Sequence, residues 1–304
     1  MSTTSSDPDN SDKSQIDLDF IKIEEPIKQY LSKNKIFLYI LTPCYASVCH
    51  VNYINSLIET KEVLKQYGVE TTVIFGKNDS LVSRIRNNLV AKAMNDHKMT
   101  HIMFIDNDIA WNPLDILKLL ISDKNLVGGA YPIKAYKWNN LLQKTDEPNG
   151  SDKPYPSMIH KWIEEKNNSR FKNMITDIDM IRNNLVQYNI NYLDPELKIE
   201  HNLARVKHLA TGFMMFKRNV VEKMSMAFPS TKYEDNTFFL KPHENKFAYA
   251  LFDCGVEDGY YSSEDWMFCN RWRKMGGSIW IDVSIDLTHN GVEEYKGSFL
   301  STII

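Results

Sequence analysis

The sequence predicts an α/β fold with a mostly parallel central sheet flanked by helices. Three observations predict it. Apolar runs of strand length alternate with stretches of helical spacing through the first half of the chain. Two of the runs, 35–42 and 101–105, are apolar almost throughout, as in strands covered on both faces. Residues that stop or start helices stand between the runs, with Gly68 after one periodic stretch and Pro113 at the head of another.

Taken in order, Lys35–Thr42 is the first strand. Val51–Tyr67 has helical spacing and stops at Gly68. Glu70–Phe75 is β-branched and closes at Gly76. Ser80–His97 is helical, with Leu81, Ile85, Leu89 and Ala93 on one stripe. His101–Ile105 is a third strand, Pro113–Ile121 a helix, and Leu126–Tyr131 a fourth strand broken by Gly128 and Gly129. A β-α-β-α-β-α-β order implies parallel strands with right-handed crossovers. From residue 135 the composition turns to Asn, Lys, Asp and Trp with weak periodicity, as in an insertion. Strand character returns over Arg205–Lys217, and a helix follows from about Asn219. Thr231–Asp253 is aromatic-rich and irregular. Ser262–Met275 is a helix ended by Gly276-Gly277, Ser278–Val283 a last strand, and Thr288–Gly291 a turn. The expected divisions are a disordered polar tail at 1–25, a first half at 35–134, an insertion at 135–203 and a second half at 204–304.

Composition narrows the function classes. Of 304 residues, 43% are hydrophobic and 25% charged, which excludes wholesale disorder. Lys and Arg number 36 against 39 Asp and Glu, so the formal charge of −3 supplies no strong field for nucleic acid. Cys44, Cys49, Cys254 and Cys269 lack paired CxxC spacing, which argues against a zinc site or a disulfide scaffold. A reduced, cytoplasmic setting is expected. No stretch reaches the roughly 18 apolar residues of a membrane span, and the opening residues carry no secretory h-region.

The most informative segment is His101–Asp108. It is an apolar strand ending in two carboxylates, Asp106 and Asp108, at i and i+2. In open α/β sheets, ligands sit beyond the carboxyl ends of strands. Two carboxylates there attract a hard divalent cation, Mg²⁺ or Mn²⁺, which takes one or two carboxylates plus phosphate oxygens and water. The structural alternative is that the pair caps the helix at Pro113 or sits in a polar turn.

The order of motifs resembles the GT-A glycosyltransferases, in particular family-2-like enzymes of viruses, phages and bacteria. Leu41-Thr42-Pro43-Cys44-Tyr45 resembles the loop that receives the nucleotide base. Ser80–Asn87 resembles the R-x-R-N helix start lining the nucleotide, and Phe104–Asp108 the D-x-D motif. Thr211–Arg218 resembles the G-T-G-F-M-L-I-K-R strand, and Tyr261–Cys269 the S-E-D helix near the acceptor. The resemblance spans about residues 36–300. It implies a Rossmann-like GT-A sheet with a mixed acceptor-side subdomain, a nucleotide-sugar donor with UDP as the default nucleotide, a divalent metal, and a glycan or glycoconjugate acceptor.

On that resemblance, Asp108 is the direct metal ligand, Asp106 contacts ribose or the metal through water, and His289 completes the protein ligands. A surface histidine in a turn is the alternative for His289. Thr42, Pro43, Tyr45 and Asn107 belong to the nucleotide site. Arg84 and Arg86 pair with the diphosphate, or Arg86 with the base, and Asn87 bonds base or ribose. A solvated helix face is their alternative. Gly129, Thr211 and Gly212 border the donor sugar. Asp265 is the general base of an inverting transfer and Glu264 orients donor or acceptor. The same pair also suits a helix N-terminus capped by Ser262. Among the aromatic residues, Trp266 adjoins the base. The competing functions are a retaining transferase on the same site, a nucleotidyltransferase and a non-catalytic sugar-binding protein. Residues 42–55 contain no glycine, which disfavours the phosphate loop of a nucleotidyltransferase.

Overall fold

The computed structural model describes residues 23–138, 162–163, 166, 176–194, 197–257 and 259–293. The chain divides into two compact units, 1–131 with 190–290, and 132–189 with 291–304. The divisions fall at 131/132 and 189/190, where the sequence reading set 134/135 and 203/204. Most of the expected tail lies outside the described residues, and its last three positions open helix α1 (23–33).

The larger unit is mixed α/β. Its strands are β1 (Phe37–Cys44), β2 (Glu70–Lys77), β3 (His101–Ile105), β4 (Ile109–Ala110) and β5 (Leu126–Gly128). Two short strands, β6 (Pro132–Tyr136) and β7 (Val186–Tyr188), belong to the smaller unit. The larger unit continues with β8 (Ile190–Tyr192), β9 (Ile199–Glu200), β10 (Leu203–Leu209) and β11 (Phe213–Lys217). It ends with β12 (Gly255–Glu257), β13 (Tyr260–Ser262), β14 (Ile279–Asp282) and β15 (Thr288–His289). Nine strands form one sheet in the order β2-β1-β3-β11-β5-β14-β10-β8, with β9 on β10. Most run in one direction; β10 and β11 run against it.

The continuous apolar runs follow from this arrangement. Leu38 and Ile40 of β1, with Met103 and Ile105 of β3, face a core shared with helices α2 (Val51–Gln66) and α4 (Pro113–Ile121). Their neighbours Tyr39, Leu41, Ile102 and Phe104 face a second core. That core is shared with α3 (Val82–Met94), α6 (Arg218–Ala227) and α7 (Glu264–Lys274). A strand buried on both sides has no polar face to show. Each fully buried Leu, Ile or Phe there contributes about 2 kcal/mol of apolar transfer.

Local chemistry sets the helix ends. Gly68 adopts φ +70° and donates its N–H to Lys65 O, ending α2 as expected. Asn112 caps α4 in a capping box with Asp115, with Pro113 at the first turn. Ile85, Leu89 and Ala93 are buried as the stripe predicted, whereas Leu81 is exposed at the N-cap of α3. Thr231–Asp253 is irregular, with short 3₁₀ turns. Two expectations change. An antiparallel strand, β11, enters between β3 and β5, so the sheet is mixed at a point where the strand–helix alternation implied parallel strands. The 288–291 segment is not only a turn, because Thr288 and His289 pair with β4.

In the smaller unit, β6 pairs antiparallel with β7, and helix α5 (Asp177–Leu185) is capped by Thr176.

Candidate functional site

A hollow of about 440 Å³ opens at the carboxyl ends of β1 and β3. Pro43, Tyr45, Arg86, Asp106, Asn107 and Asp108 all line it. The strand-to-helix loops deliver these side chains, as expected of an open α/β sheet. The loop 106–108 leads from β3 into β4, so both carboxylates leave the sheet at the carboxyl end of β3. Since Asn112 and Asp115 cap α4, neither Asp106 nor Asp108 is consumed by capping.

His289 is brought to Asp108. Pairing of β15 with β4 sets His289 opposite Ile109. Its Nε2 is 3.4 Å from Asp108 Oδ2. Asn290 locks the turn by donating both its backbone and its side-chain N–H to Asp108 O, at 2.8 and 2.9 Å. Tyr131 packs edge-on against the His289 ring at 5.1 Å.

Arg86 ties the two acidic motifs together. It is buried on α3, with Nη2 2.8 Å from Asp106 Oδ1 and Nε 3.3 Å from Glu264 Oε1. The guanidinium lies over the Phe104 ring at 5.2 Å. Burial alone would lower its pKa, but Asp106 and Glu264 outweigh that and raise it, so the group stays charged. Nη1 is buried without a protein hydrogen-bond partner.

Asp265 opens α7. The N-cap is Ser263, not Ser262, and its hydroxyl donates to Asp265 Oδ1. The Trp266 N–H donates to the same oxygen at 2.8 Å. Burial pushes the Asp265 carboxyl above its ordinary value and the charge of Glu264 adds to this, against the Ser263 hydrogen bond. Trp266 stacks flat on His208, with centroids 4.9 Å apart.

Several expected ligand contacts are instead structural. Thr42 is fully buried and bonds Tyr53 Oη at 2.5 Å. Asn87 holds the Phe252 backbone through both ends of its amide, at 2.6 and 2.9 Å. Arg84 turns to Asp79, pairing at 2.6 and 2.9 Å. Burial would raise the Asp79 carboxyl, but Arg84 and the Leu81 N–H hold it below the ordinary value. Gly129 serves packing, since a Cβ there would meet Ile285 at 2.8 Å and Leu287 at 3.0 Å. Gly212 gives its carbonyl to the Asp106 N–H at 3.0 Å, and a Cβ on it would strike Tyr131 Oη at 2.6 Å. Thr211 beside it is buried, its hydroxyl without a protein hydrogen-bond partner. Asn107 lines the hollow but also braces its rim, donating to Val48 O at 2.6 Å. Trp111 is core, its indole N–H bonded to Thr60 Oγ1 at 2.8 Å.

His50 and Asp79 line the hollow without having been singled out. Their signal was position alone, just past β1 and β2.

Among the described residues no group of three or more His, Cys, Asp or Glu side chains is arranged to hold a metal. Asp108 and His289 converge as a pair, while Asp106 directs one oxygen to Arg86. Such a pair fits Mg²⁺ or Mn²⁺ only when substrate oxygens complete the shell, which is the usual way Mg²⁺ is held beside phosphates. Among the described residues, no helix is long and apolar enough to cross a membrane.

No protein-family model and no curated protein matches the chain. Among solved structures, the chain is similar to A197 from STIV. The two are 14% identical, with a TM-score of 0.43, over 84% of this chain and 86% of that one.

Proposed function

We propose that the protein is a metal-dependent glycosyltransferase that moves a sugar from a nucleotide-sugar donor, with UDP as the default nucleotide, to a glycan or glycoconjugate hydroxyl. One observation carries this reading. The strand-end pair Asp106/Asp108 lines the hollow, Arg86 joins Asp106 to Glu264 at the start of α7, and His289 stands 3.4 Å from Asp108. The GT-A resemblance supplies the roles.

The nucleotide occupies the hollow, with the exposed Tyr45 ring and Pro43 against the base. Asp108 and His289 would hold a divalent ion, which when bound would supply Lewis-acid stabilisation for the charge on the departing diphosphate. Asp265 takes the proton of the acceptor hydroxyl as it attacks the anomeric carbon, giving inversion. Burial raises its pKa, which makes it a stronger base than an ordinary carboxylate. Glu264, held by Arg86, orients the reactants. Arg86 thereby acts as a positioning residue.

The test is calorimetric titration of UDP into the protein with Mn²⁺, then with EDTA. Binding that disappears with EDTA and in Asp108→Ala is expected. Absence of binding to UDP, GDP and dTDP, with metal present, would sink the proposal and favour a non-catalytic protein.

A further inference from the structure

The rim of the hollow carries two thiols that the proposed reaction leaves unused. Cys44 is the buried last residue of β1, and Cys49 is partly exposed, two residues before α2 begins. Their sulfurs lie 3.5 Å apart. A disulfide needs about 2.05 Å, so a closure of about 1.5 Å joins them. The intervening residues 45–48 are exposed, and Ser47 adopts φ +56°. This small loop is tied to the acidic turn: Asn107 donates to Val48 O at 2.6 Å and accepts from the His50 N–H at 2.9 Å. Cys44, Tyr45, Ala46 and Val48 all line the hollow. Elsewhere, Cys254 is exposed, and Cys269 is buried with its thiol toward Leu209 O.

We propose that Cys44 and Cys49 form an oxidation site, in which a peroxide converts the two thiols into an intraloop disulfide that reshapes the rim of the hollow. The partly exposed Cys49 meets the oxidant first. Its sulfur attacks one peroxide oxygen, the O–O bond breaks, and a sulfenic acid and water form. The Cys44 sulfur then attacks the sulfenic sulfur, an S–S bond forms, and hydroxide leaves as water with the Cys44 proton. Two thiols lose two electrons and one peroxide becomes two waters. The closure pulls residues 45–48 against the Asn107 brace, on the wall where the nucleotide base would rest. That consequence rests on the reading of the hollow as a nucleotide site; the bond itself does not.

The test treats the full chain with hydrogen peroxide and digests it without reductant. The tryptic peptide spanning both cysteines is expected to lose two hydrogens by mass and to regain them with dithiothreitol. Cys49→Ser abolishes this change, and Cys254→Ser leaves it intact. If both thiols stay open to alkylation while Cys254 is oxidised, or if only cross-links between chains appear, the proposal is overturned. UDP is then titrated into both forms with Mn²⁺. Binding weaker by about tenfold or more in the oxidised form is expected, a loss of about 1.4 kcal/mol as the closing loop moves the wall it forms. Equal binding overturns the effect on the hollow. If neither form binds UDP yet the disulfide forms, the nucleotide reading fails and the oxidation site stands.

Discussion

Arg86 and Glu264 stand 178 positions apart in the sequence and meet at 3.3 Å through Nε and Oε1. The same guanidinium holds Asp106 at 2.8 Å. One buried cation thus sets the spacing between the strand-end carboxylates and the helix that starts with Glu264 and Asp265.

Replacing Arg86 leaves two carboxylates facing a buried space without their cation. Arg86→Met is expected to lose about 3 kcal/mol of stability, the usual cost of breaking a buried pair, moderated by the partial exposure of Asp106. Urea unfolding measures it. An unchanged midpoint would show that Arg86 does not tie the motifs together.

His289 and Asp108 act as a pair in the proposed metal site. His289→Ala is expected to weaken UDP binding at least about tenfold, or 1.4 kcal/mol, in Mn²⁺. It leaves any metal-free binding unchanged. Calorimetry with and without EDTA separates the two, and equal loss under both conditions would count against metal ligation.

Asp265→Asn tests the base. The variant is expected to fold normally, bind UDP as before, and lose about 10²- to 10⁴-fold in turnover. In the unaltered protein the rate falls as pH falls through the Asp265 pKa, because the base must be unprotonated. Burial raises that pKa, so the acid limb lies above the ordinary carboxylate range. Near-normal turnover in Asp265→Asn would point to a retaining transfer.

His101 governs part of the acid stability. Burial lowers its pKa to about 4 from 6.5. The folded state therefore keeps His101 neutral while the unfolded chain takes up a proton below pH 6.5. Stability falls as pH drops from 6.5 toward 4, by up to about 3 kcal/mol from this group. His101→Gln is expected to flatten the stability curve in that window, whatever its effect on absolute stability. An unchanged slope would contradict the assignment.

Gly128 is required by a close approach. A Cβ there would sit 2.1 Å from the Phe213 carbonyl oxygen, a backbone atom of the neighbouring strand. Gly128→Ala is expected to cost about 3 kcal/mol by forcing β5 from β11. Thermal unfolding checks it.

Local physical chemistry made much of this protein legible from its sequence. Unbroken apolar runs announced strands buried on both faces, and β3 and α4 fall on His101–Ile105 and Pro113–Ile121 as read. The strand-end position of Asp106 and Asp108 identified the carboxyl end of β3, where the hollow lies. These features depend on periodicity, capping and strand length, which act over a few residues. The tertiary structure alone decided the rest. It seated β11 antiparallel beside β3, paired His289 with the acidic turn, and turned Asn87 and Thr42 inward while leaving Asp108 at the hollow. It also joined Arg86 to two distant carboxylates. Such choices turn on which buried polar groups find partners across the whole chain, and no local pattern encodes them.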